Sequence, residues 1–209
     1  MNKFKNSLMT SCGAFVLVSM IVMVWPLCTR ADTVRQMNLE EMCERADKVF
    51  RGTVVSATPG TIRVGGIDLP TTTYRVRVVE IFKGEFKAAK GAGYVEIRML
   101  GALKPEKRGT GTGRVAMVLA DLPRLEVGES YLLLTTRPSR IGMSTTVGLG
   151  QGLFRIKGAG SKAEAVNEND NQMLFRGMDA QGHTGRGPMA YRKLAERVRA
   201  LVGAKRKAL

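Results

Sequence analysis

Between Lys48 and Ile156 the apolar residues recur in short runs with a period of two, and no run with the period of a helix separates them. "KVFRGTVVSA" (Lys48–Ala57) is rich in β-branched and aromatic residues and predicts a strand; Gly52 inside it marks a bulge or sharp bend, and Pro59-Gly60 predicts the turn that ends it. In "TTTYRVRVVEIFKGEF" (Thr71–Phe86), Tyr74, Val76 and Val78 alternate with Thr73, Arg75 and Arg77, the pattern of a half-buried strand. Val79 and Ile81 then take the apolar role and Glu80 the polar one, so the phase slips by one residue. Such a slip predicts a bulge, or a strand that passes from one sheet face to the other. "YVEIRML" (Tyr94–Leu100) alternates again, Val95, Ile97 and Met99 opposing Glu96 and Arg98. Val115–Ala120, Ser130–Thr136 and Gly152–Ile156 complete the expected strands. Strands without interleaved helices predict a mainly β chain whose small antiparallel sheet closes, or nearly closes, into a barrel.

Helices are expected only at the two flanks. Asn38 followed by Glu41 is a capping box, so a short helix should run from about Leu39 to Ala46 and lie as a lid on the core. From Lys157 to Pro188 the chain is glycine-rich and polar, with only "QMLFRG" looking ordered, and reads as a long surface excursion. Pro188 then opens an amphipathic helix. Leu194, Val198, Leu201 and Val202 share one side of it, Arg192, Lys193, Arg197 and Arg199 lie elsewhere, and it should end near Gly203. The chain is thus divided into residues 1–31, 32–156, 157–187 and 188–209.

The first of these divisions is a leader. Lys3 and Lys5 precede an uncharged apolar run of 13 residues, Gly13 to Trp25, and small residues Thr29 and Ala31 stand where a signal peptidase reads, so cleavage is expected after Ala31. A membrane span needs about 20 apolar residues, more than this run supplies. Export to the periplasm or cell envelope follows. Removal of the first 31 of 209 residues leaves 178, enough for one domain with its own core. It also removes Cys12 and Cys28, so Cys43 has no partner within the chain and is expected as a buried thiol on the first helix.

The formal net charge is +15, and +12 once Lys3, Lys5 and Arg30 leave with the leader. From Pro188 to Leu209 seven basic residues face Glu196 alone. An exported protein this basic is drawn to anionic polysaccharide, lipid head groups or acidic protein faces. Arg75, Arg77 and Arg98 form one candidate binding face; Arg192, Lys193, Arg197 and Arg199 form another.

Catalytic equipment is hard to assemble from this composition. His183 is the only histidine and sits among loop glycines, so with Cys43 it does not make an ordinary zinc site. Nothing places it as a base beside Cys43 or Ser130. Glu40 and Glu41 fall at the start of a helix, where they favour its dipole. "GTGTG" (Gly109–Gly113) lacks the Lys-Ser/Thr end of a phosphate-binding loop. No cofactor, metal or catalytic residue is expected. Nucleic acid fits poorly, because few aromatics remain for stacking and because the protein is exported.

The order "EEMCERADKVFRGTVV", "TTTYRVRVVEIFKG", "DLPRLEVGESYLLL", "VGLGQGLFRI" resembles a group of uncharacterised exported bacterial proteins, and its outline is similar to the netrin-like fold of tissue inhibitors of metalloproteinases, an OB-type barrel flanked by helices. The resemblance covers about Asn38 to Ile156. It implies a binding scaffold and brings no catalytic residues. The animal inhibitors chelate zinc through an N-terminal cysteine, and the mature end expected here, near Asp32, has none. The expectation is therefore a non-enzymatic exported binding protein with an anionic envelope ligand; the alternative is a protein–protein module, for instance one modulating an exported protease.

Overall fold

In the computed structural model, residues 35–86, 93–102, 122–178 and 185–207 are described. The expected leader, the expected strand Val115–Ala120, "GTGTG" and His183 lie outside them. The chain is mainly β. Helix α1 (Leu39–Arg45) is followed by β1 (Lys48–Val64), β2 (Ile67–Lys83), β3 (Tyr94–Leu100), β4 (Ser130–Thr135), β5 (Leu153–Lys157), β6 (Glu164–Asn167), β7 (Met189–Ala190) and helix α2 (Tyr191–Lys207). All seven strands form one antiparallel sheet in the order β3-β2-β1-β4-β5-β6-β7.

Helix α1 begins as its sequence requires. The Asn38 side chain accepts from the Glu41 amide at 2.8 Å and the Glu41 carboxylate accepts from the Asn38 amide at 3.2 Å. Its other end is closed from the sheet: Lys83 Nζ donates to the carbonyls of Cys43, Glu44 and Ala46 at 2.8, 3.2 and 2.6 Å. A cation there meets both the unpaired carbonyls and the negative end of the helix dipole. Leu39, Met42 and Cys43 are buried beneath the helix.

The middle of the sheet is covered on both faces. Val49, Leu132, Leu134, Phe154 and Ile156 pack with Leu39 and Met42 of α1 and Leu194, Val198 and Val202 of α2. Their immediate neighbours Phe50, Leu133 and Leu153 point the other way and join Val54, Tyr74, Val76, Ile97 and Met99 in a second cluster. Among the described residues this cluster is built from β1 through β5 together with Leu125, so the sheet is curled and these strands pack on one another across its inner face. The loop after β4 completes this curl: the Ser144 amide donates to the Arg98 carbonyl of β3 at 2.8 Å. Among the described residues no strand pairing joins β3 to β7, and the sheet is open rather than a closed barrel.

The phase slip in β2 is a bulge. Gly52 stands opposite Val78 and Arg51 opposite Glu80, leaving Val79 without a partner in the ladder. Before it, Tyr74 and Val76 belong to the inner cluster; after it, Phe82 belongs to the helix-side cluster. The strand has changed faces. Gly52 is required at this crossing, because a Cβ there would lie 2.5 Å from Val76 Cγ1 and 2.7 Å from the Arg77 carbonyl oxygen.

Three expectations need correction. Pro59-Gly60 is not a turn: β1 continues through it to Val64, and the reversal is made by Gly65 and Gly66 at φ +57° and +82°. Among the described residues this part of β1 pairs with β2 alone, and a proline is tolerated on such an edge, where no second ladder needs its amide.

The polar segment from Lys157 to Pro188 is not a simple surface excursion. It contributes β6, buries Leu174 and Phe175, and holds a buried amide cluster. Asn171 Nδ2 donates to the Ala165 and Gly187 carbonyls at 3.0 and 2.8 Å, and the Asn167 and Asn171 side chains each accept from the other's backbone amide. Gln151 joins it, accepting from the Met37 amide at 2.8 Å and from Asn167 Nδ2 through its carbonyl at 3.0 Å. Composition alone reads such asparagines as loop; their partners turn them into core.

The terminal helix is the third correction. Met189 and Ala190 after Pro188 form β7, α2 opens at Tyr191, and it runs past Gly203 to Lys207.

Candidate anionic-ligand face

Along β2, alternation sends Ile67, Leu69, Thr71, Thr73, Arg75 and Arg77 to one side, and past the bulge Glu80 and Phe82 take up that same side. This is the side on which α2 packs: Tyr191 Oη donates to Glu80 Oε2 at 2.6 Å, and Arg199 pairs with Glu80 Oε1. Both groups of basic residues expected to bind a ligand therefore belong to one side of the sheet.

The structure gives those residues different tasks. Arg75 and Arg77 are exposed. The Arg75 guanidinium carbon lies 4.4 Å from the centre of the Tyr94 ring, a cation–π contact that fixes the side chain without spending its hydrogen-bond donors. Arg77 stands in register with Tyr94 on one flank and Thr53 on the other. Arg98 is half-buried and committed: its Nη2 donates to the Thr61 carbonyl of β1 at 2.9 Å, bracing the hairpin. On α2, Arg192 and Lys193 are exposed, with Glu196 3.9 Å from Arg192. Arg197 is half-buried. Arg199 is a second brace, paired with Glu80 and lying 5.3 Å from the Phe82 ring centre.

Arg51 is the residue that sequence reading missed. It faces Glu80 across the ladder and its guanidinium carbon lies 4.6 Å from the centre of the Tyr191 ring. Burial, then the Glu80 carboxylate that accepts its hydrogen bond, hold the Tyr191 phenol well above the usual range, so this group stays a neutral donor. Arg51, Glu80, Tyr191 and Arg199 form one joint between sheet and helix. The adjacent apolar pair Val49-Phe50 hid the parity of Arg51, since both neighbours are buried, each in a different cluster.

A groove of about 690 Å³ opens beside Tyr94, lined by Asp47, Lys48, Glu85, Phe86, Glu96 and Arg137 among others. Asp47 is engaged by Lys48 at 3.4 Å and by Arg137 at 3.3 Å. With carboxylates and cations interleaved, the groove favours neither sign of ligand. Among the described residues there is no cluster of three or more His, Cys, Asp or Glu able to hold a metal ion, and no helix is long and apolar enough to cross a membrane. Cys43 is buried, and desolvation pushes its thiol up to about 12, with Lys83 opposing and Glu40 adding to the rise. A thiol so held is a poor nucleophile. No protein-family model matches the chain, and comparison with curated proteins finds no match.

Proposed function

We propose that this is an exported, non-enzymatic binding protein of the periplasm or cell envelope, and that it takes an anionic ligand on the Arg75–Arg77 side of its sheet. The observation that carries this reading is the pair of exposed arginines two residues apart on one strand, one of them held by Tyr94 and, among the described residues, without a hydrogen bond or ion pair. The formal charge of +12 that remains once residues 1–31 are removed supports it by raising the local concentration of any polyanion. The exposed Arg192 and Lys193 of α2 add charge on the same side of the sheet. A curled sheet with helices on one face is also what a netrin-like scaffold would supply, and the exported bacterial relatives suggested by the sequence motifs belong to this reading.

The test is retention of the purified protein on envelope material, before and after protease digestion of that material, across a salt series. Binding should survive digestion, weaken steeply with salt, and fall at least about tenfold in the Arg75→Glu/Arg77→Glu double variant. Retention by the double variant equal to that of the parent would sink the reading. A second reading, a protein–protein module acting for instance on an exported protease, draws on Val79 and Ile81, which stand 57% and 54% exposed beside the bulge. Loss of binding on digestion, with little salt dependence, would favour it.

A further inference from the structure

The β1–β2 hairpin outruns the sheet that carries it. β4 pairs with β1 only as far as Thr53, and β3 pairs with β2 only from Thr71 onward. Among the described residues, the three cross-strand pairs from Ile62–Leu69 to Val64–Ile67 are thus two strands wide. Their alternation sorts this tip into two faces. Ile62 and Leu69 stand opposite each other, as do Val64 and Ile67, so four aliphatic side chains share one face; Arg63 and Asp68 pair on the other at 3.1 Å. Val64 and Ile67 are 44% and 55% exposed. They flank Gly65 and Gly66, neither of which has an atom near enough to crowd an added Cβ. Among the described residues nothing crowds the tip, which is narrow and apolar on this face.

Following β2 back from the tip, the same side carries Thr71, which is buried, Thr73, which is half-buried, and then Arg75 and Arg77, which are exposed. At about 3.4 Å a residue, Ile67 and Arg75 are roughly 27 Å apart. An occupant has to accept aliphatic side chains at one end and guanidinium groups at the other, along an extended front. A second copy of this chain fits badly, because four aliphatic side chains fall well short of the ~800 Å² each partner gives to a stable interface, and two arginine rows would face each other. Past Thr53 one edge of β1 is unpaired among the described residues, and a strand added there would meet Pro59, which has no amide to offer. A bilayer with anionic head groups supplies both chemistries at once: charge in the head-group layer and hydrocarbon beneath it.

We propose that the hairpin tip is a membrane wedge: Ile62, Val64, Ile67 and Leu69 enter the boundary between head groups and acyl chains of an anionic lipid surface, while Arg75 and Arg77 bind the head groups. This rests on the anionic-ligand reading above and names lipid as its source.

The test uses the full chain as the cell delivers it, its N-terminus read by mass spectrometry, with vesicles of phosphatidylglycerol and phosphatidylethanolamine against vesicles of phosphatidylcholine. In the Ile67→Trp variant the added indole, read against the parent's own fluorescence, should shift to the blue on the anionic vesicles and be quenched by lipids brominated along the acyl chain. The Val64→Asp/Ile67→Asp variant should lose at least about tenfold in partitioning while keeping the parent's circular dichroism. If the indole is neither shifted nor quenched while vesicle binding persists, the wedge is overturned and the anionic-ligand reading stands. Retention on envelope polysaccharide without binding to anionic vesicles overturns lipid as the source. Full vesicle binding by Arg75→Glu/Arg77→Glu would instead overturn the anionic-ligand reading itself.

Discussion

The two ends of the β1–β2 ladder are built from the same kinds of residue and meet opposite fates. At the base, Val49, Phe50 and Val54 are buried, with β4 completing the sheet and helices or the curled inner face covering them. At the tip, Val64 and Ile67 have similar side chains and half their surface in water. Strand propensity is satisfied at both ends; burial is decided by what lies next to the strand. A hairpin two strands wide is marginal in water, so the tip borrows its order from the base and from the Arg98 brace on Thr61. The base is where stability resides, and the tip is where exposed apolar surface has been kept.

The most severe way to break the contrast is at the base. Phe50→Ala removes a fully buried ring from the inner cluster, where it meets Phe86 edge-on at 5.2 Å between ring centres. A loss of about 3–5 kcal/mol in a urea titration is expected. A loss below about 1 kcal/mol would mean that the two clusters do not support one cooperative unit.

Alkali provides a graded version of the same comparison. The Cys43 thiol rises from 9.0 to about 12 in the folded protein, so the unfolded thiol ionises first and the folded state binds the extra proton. Its contribution is fully present below pH 9 and is lost as pH climbs towards 12. Tyr131 and Tyr191, both held above the usual phenol range chiefly by burial, act in the same direction. Urea midpoints should fall across this window, and Cys43→Ala should flatten the fall; identical slopes in parent and variant would exclude the thiol as a contributor.

The smallest stability effect is expected at the tip. Ile67→Ser should change unfolding free energy by less than about 0.5 kcal/mol, since it removes an exposed side chain with one cross-strand neighbour. A change as large as that of a core deletion would show that the tip is covered in solution, for instance by a second copy.

Much of this arrangement was legible in the residues. The capping box at Asn38 and Glu41, the strand periods, the face change at Val79 and the amphipathic stripe of α2 are local patterns, and each forms as its pattern requires because backbone geometry sets the period. The binding candidates were legible only as a set of charges. Arg98 and Arg199 look like Arg75 and Arg77 in sequence, yet the first two are consumed as braces by groups 37 residues or more away. Asn167 and Asn171 read as loop because their partners, not their composition, bury them.

The sequence by itself determined the period of the strands, the capping box of α1 and the sign of the charge, because these depend on composition or on residues within a few positions of one another. Tertiary structure alone decided that Pro59 lies within a strand, that the sheet curls until Ser144 meets β3, and that Val64 and Ile67 remain in water while Val49 and Phe50 do not. Those outcomes turn on which strand ends first beside its neighbour, a relation between segments far apart in the chain that no local pattern encodes.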